Sequence, residues 1–110
     1  MGNNIAFQAC GKTYLGNVTA NAAKITIISD SPCNQLYVAN PSNAAVFFLV
    51  TSNSSVNVSI PGSNASYALV IAPGMEKVFT VPQQFSNSAN TYISFIGTAG
   101  SCYFTPGEGL

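Results

Sequence analysis

Strand-length runs of β-branched, aromatic and aliphatic residues recur along this chain. Clusters of Asn, Ser, Pro and Gly cut them at about ten-residue intervals. No stretch of helical length carries an apolar repeat near 3.6 residues. This pattern points to an all-β sandwich or barrel. Residues 24–28 form one run, broken by Asp30-Ser31-Pro32, and residues 35–39 form the next, ended by Asn40-Pro41-Ser42-Asn43. Residues 44–51 are apolar on both faces and read as a central strand covered on both sides. Val56, Val58 and Ile60 alternate with Asn57 and Ser59, which predicts a strand with one buried face. Runs at 67–72 and 75–81 flank Pro73-Gly74, a pair suited to a type II turn. The second run is expected to stop at Pro82, ahead of a polar loop over 82–90. Residues 92–96 and 102–105 read as a closing hairpin around 97–101. The segment 19–24 could make a turn of helix at most. About eight strands suffice for two packed sheets with jelly-roll or Greek-key connections.

The length suits one domain. Residues 1–15 read either as an N-terminal arm or as a first strand, 16–105 as the sandwich and 106–110 as a tail. The opening residues lack a basic n-region and a continuous apolar h-region, so a secretory leader is not expected. The longest strongly apolar run, 44–50, is far below the ~20 residues of a spanning helix.

Charge narrows the function. Three basic and three acidic residues and no His make the chain 5% charged, against about 25% in ordinary soluble domains. A serine or cysteine nucleophile needs a positioned base. Only Asp30, Glu76, Glu108 and three lysines remain for that role. No G-x-S-x-G or S-x-x-K motif frames a serine. Glu76 and Lys77 are adjacent in a strand and point to opposite faces. Cys10, Cys33 and Cys102 form no C-x-x-C pair and offer no zinc set. They read as free thiols, with one disulfide plus a spare thiol as the alternative in an oxidising compartment. No catalytic, cofactor or metal residue is expected, and the chain reads as a non-enzyme. Lys12, Lys24 and Lys77 are scattered, which argues against nucleic acid and against an anionic membrane as partners. A surface so poor in charge tends to associate. Tyr14, Tyr37, Tyr67, Tyr92 and Tyr103 suit interface positions, because their hydroxyls tolerate water. Phe47 and Phe48 are strand neighbours, so one of them faces outward.

Several segments together carry a resemblance: Phe7-Gln8 with Gly11-Lys12-Thr13; the run from Cys33 through Asn40; the run from Pro73 through Thr80; and Tyr103-Phe104-Thr105-Pro106-Gly107-Glu108-Gly109. The set resembles small tailed-phage structural proteins and, by extension, capsid decoration (cement) proteins. The resemblance implies a virion protein made in the host cytoplasm and bound outside the capsid. Its partners would be the major capsid protein, over joints between subunits, and further copies of itself as dimer or trimer. Ile5, Phe7, Tyr14, Phe48 and Glu108 are the candidate capsid or subunit contacts, with Ile5 and Phe7 as apolar anchors of an arm over 3–13. The alternative is a phage surface recognition module (head fibre, spike or carbohydrate-binding domain) that contacts the host, or a neck or tail component.

Overall fold

The computed structural model describes residues 7–63, 65–88 and 90–108. Among them run nine strands: β1 (Gln8–Ala9), β2 (Tyr14–Val18), β3 (Ala23–Thr26), β4 (Cys33–Ala39), β5 (Val46–Thr51), β6 (Leu69–Ile71), β7 (Glu76–Phe85), β8 (Tyr92–Gly97) and β9 (Gly100–Glu108). One antiparallel sheet has the order β1-β9-β4-β7, with β2 also paired to β9; the other has the order β3-β8-β5-β6. Among β2 to β9, the chain changes sheet at every connection except β5 to β6. That is the strand order of a jelly roll, the double Greek-key form of the sandwich.

The core lies between the sheets. Phe104 of β9 meets Phe48 of β5 at 5.9 Å and Phe95 of β8 at 5.7 Å, so one aromatic cluster spans both layers. Phe48 also packs edge to face on Phe79 of β7 at 5.1 Å, a favoured arrangement of ring quadrupoles. Ile27, Leu36, Val38, Val46 and Ile93 are among the other fully buried side chains of this core.

Four expectations change. Residues 92–96 and 102–105 do not form a hairpin: β8 pairs with β3 and β5, β9 with β1, β2 and β4. The intervening residues carry the chain from one sheet to the other. The alternating segment at 56–60 is not a strand. Of its three apolar residues only Val58 is buried, while Ile60 is 48% exposed. The Val58 N–H donates to Ser94 Oγ at 3.0 Å, and Lys24 Nζ reaches the Ser54 carbonyl. The segment is therefore a strap pinned by side chains rather than a rung of a ladder.

Pro82 does not end its strand. β7 is the edge of its sheet, and its register against β4 slips between the pairs Cys33–Phe85 and Gln35–Thr80. Edges and bulges are where a strand tolerates a residue without an N–H. Nor are residues 106–108 a tail, since they belong to β9, with Pro106 and Gly107 buried. The Pro106 carbonyl accepts from Cys10 N–H at 2.9 Å. Proline's missing donor falls on that same side, at the break between β1 and β2. The Pro73-Gly74 turn is as expected: Gly74 has φ of 70° and Met75 N–H donates to the Ala72 carbonyl at 3.2 Å.

Candidate contact surface

Strand alternation divides the five-stranded sheet into an inner and an outer face. The inner face carries Leu36 and Val38 of β4 with Phe104 of β9. The outer face carries a row set by register: Leu15 of β2 opposite Tyr103 of β9, Tyr103 opposite Ala39 of β4, and Ala39 opposite Glu76 of β7. Leu15 is 50% and Tyr103 39% exposed. One carboxylate thus bounds an otherwise apolar and phenolic strip.

Phe7 and Tyr37 extend this face. Their rings are 6.0 Å apart and tilted by 40°. Tyr37 lies opposite Thr105 on β9 and Val78 on β7. Its hydroxyl is held above the usual phenol range by burial, then by the hydrogen bond to Glu76 and by that residue's charge. The Thr13 and Thr105 hydroxyls bond at 2.8 Å, and Gln35 Nε2 donates to Thr80 Oγ1 at 3.2 Å. These polar groups bond one another, while Gln35 Oε1 is buried without a partner.

The five contact candidates fall in different places. Phe7 lies on this outer face, packed on Tyr37. Glu108 is exposed at the end of β9, opposite Gln8. Ile5 lies outside the described residues. Phe48 is 0% exposed and cannot touch a partner; its half-buried neighbour Phe47 is the outward one. Phe48 takes the inner face because it shares it with Val46 and Val50 in an i, i+2 series. Tyr14 has a different role from the one expected. Its hydroxyl donates to the Ile28 carbonyl at 3.2 Å and accepts from the Ile28 N–H at 3.1 Å. It is a strut from β2 to the segment after β3, with its hydrogen bonds already made.

Nothing in the sequence marks Leu15 as outward. A leucine beside glycine would ordinarily be assigned inward. Here the ring of Phe95 fills the space beneath Gly16, where a Cβ would come within 2.8 Å of it. Gly16 and Val18 are the inward set, and Leu15 is turned out.

Among the described residues, no group of three or more Cys, Asp or Glu is placed to hold a metal ion. Among them, too, no helix is long and apolar enough to cross a membrane. No protein-family model, curated protein or solved structure matches this chain.

Proposed function

We propose that this chain is a non-enzymatic virion structural protein that decorates the outside of a phage capsid. It would bind over joints between major capsid subunits and reinforce the shell, as monomers grouped into a dimer or trimer. The proposal rests on the outer face of the five-stranded sheet. Leu15, Tyr103 and Ala39 present apolar surface and one phenol with a single carboxylate beside them. Such a face adheres by shape and apolar area, with hydroxyls at the rim, rather than by charge. Modest adhesion per copy is enough where a lattice repeats the site many times. The jelly roll itself serves shells and lectins alike and supports the proposal only by analogy. Neither nucleic acid nor membrane is a partner in this proposal.

The test is binding to purified capsids that lack the protein. The wild-type chain is expected to coat them at a fixed copy number and to raise the temperature at which they release DNA. Leu15→Lys with Tyr103→Glu sets opposite charges across the β2–β9 pair, is expected to change stability by about 1 kcal/mol or less, and leaves the capsids bare. Bare capsids with the wild-type chain would sink the proposal.

One observation favours the recognition alternative. Tyr67 is 88% exposed beside a half-open recess of about 360 Å³ lined by Leu49, Val50, Leu69, Val81 and Gln83. An apolar recess with a few polar groups is the usual form of a small-ligand site. Binding to host glycans that Tyr67→Ala abolishes, with capsid stability unchanged, would select that alternative.

A further inference from the structure

We infer that two copies of this chain join edge to edge through β6, in an antiparallel pairing centred on Val70 that carries the four-stranded sheet across a twofold axis. The chain's few charges point to this edge. Among the described residues the two sheets have four edges: β7, the broken edge made by β1 and β2, β3, and β6. A sheet edge is a template for another strand unless charge, proline or a bulge blocks it. β7 carries Glu76, Lys77 and Pro82, and its register against β4 slips. Lys12 falls in the break between β1 and β2. β3 carries Lys24, whose amine reaches the Ser54 carbonyl. The three lysines thus stand one to an edge. β6 has none, and no charged residue occurs anywhere from 31 to 75.

Among the described residues, β6 pairs only with β5. Alternate residues of an antiparallel strand turn their N–H and C=O groups away from that neighbour. On β6 those groups have no strand to meet. The side chains beside them are apolar and open: Val70, opposite the outward Phe47, is 53% exposed, and Leu69 is 38% exposed. Pairing centred on Val70 sets Val70 against its own counterpart, Leu69 against Ile71, and Ala68 against Ala72. Pro73 then falls just outside the paired stretch, opposite Tyr67 of the second copy. A neutral edge meets itself with no like charges facing, which is why a second copy is its fitting partner. Such an isologous contact uses up the open edge of both copies, so the assembly closes at two. The paired stretch is short, and the dimer belongs to the weak, micromolar class. The inference rests on the self-association in the proposed function and not on what the assembly binds.

Sedimentation of the full chain from micromolar to millimolar concentration tests the pairing. The wild-type mass is expected to climb from 11.4 kDa towards twice that value and stop there. Val70→Lys alone and Val70→Glu alone should each stay single, because like charges then face across the axis. An equimolar mixture of the two should pair again. Amide exchange on the wild-type chain checks the same contact without a variant. Protection over 68–72 should rise with concentration, while protection of β3 stays constant. A wild-type chain that stays single throughout would overturn the inference together with the self-association in the proposed function. A wild-type trimer, a dimer that both variants preserve, or variants that stay single when mixed would overturn the inference and leave that self-association standing. Protection that rises at another edge instead of 68–72 would do the same.

Discussion

Phe7 lies across the backbone of Gly107, and that close approach is what carries its ring to Tyr37. A Cβ on Gly107 would fall 2.4 Å from Phe7 Cζ and 2.5 Å from the Gln8 carbonyl oxygen. Gly107→Ala therefore forces β1 away from β9 and separates Phe7 from Tyr37. The expected cost is about 1–3 kcal/mol, the range for overpacking a well-filled site. Urea denaturation measures it, and an unchanged midpoint would show that the contact does not hold this edge.

Adjacent phenylalanines should differ sharply. Phe48→Ala removes a ring that touches both Phe79 and Phe104 and is expected to cost about 3–5 kcal/mol. Phe47→Ala, at a half-buried outward position, is expected to cost about 1 kcal/mol. Equal losses would contradict the assignment of faces.

Asn40 is a buried polar residue that joins the two sheets. Its Nδ2 donates to the carbonyls of Ala44 at 2.9 Å, Ile71 at 3.2 Å and Ala72 at 3.3 Å. Its Oδ1 accepts from the Ser42 N–H at 3.1 Å and from the Ser42 hydroxyl. Asn40→Ala removes all of these bonds at once, although the Ala72 carbonyl keeps the Met75 N–H and the Ala44 carbonyl keeps the Ser42 hydroxyl; the expected cost is about 1–3 kcal/mol. Thermal unfolding of the variant reads the loss; a transition within error of the wild type would mean that water replaces the amide freely.

Cys102 makes stability fall at high pH. Burial pushes its thiol from 9.0 up to about 12, against a lowering hydrogen bond at Tyr103. The folded chain holds the proton more tightly than the unfolded one. This contribution is therefore intact below pH 9 and declines as pH rises from 9 towards 12. Cys102→Ala should show a shallower decline over that window than the wild type. Every other ionisable group is common to the two chains, so the difference between the two curves isolates the thiol. Parallel curves would refute its burial.

The run-and-turn spacing made the sandwich legible, because the runs at 35–39 and 44–51 supply β4 and β5. The second, expected to be covered on both sides, instead alternates buried and half-buried residues, so its outer side is only partly covered. Alternation failed where side chains replaced the ladder, at 56–60. Proline misled twice for one reason. At Pro82 and Pro106 a missing N–H reads as a stop, yet each sits where the sheet asks for no donor: a bulged edge in one case, a break between β1 and β2 in the other. The candidate face was half legible. Tyr37 and Tyr103 suited an interface by residue type. Leu15 was hidden, because only the ring of Phe95 under Gly16 explains why it points out.

Strand β9 lies between β4 on one side and β1 with β2 on the other, yet it is the last of the nine to leave the ribosome. Until residues 100–108 emerge, β2 and β4 have a vacant lane between them, and Phe48 and Phe95 lack the ring of Phe104. Assembly of the larger sheet must therefore wait for translation past this point. Pairings between strands so far apart in sequence put the chain in the class of all-β sandwiches, which fold in milliseconds to seconds rather than microseconds.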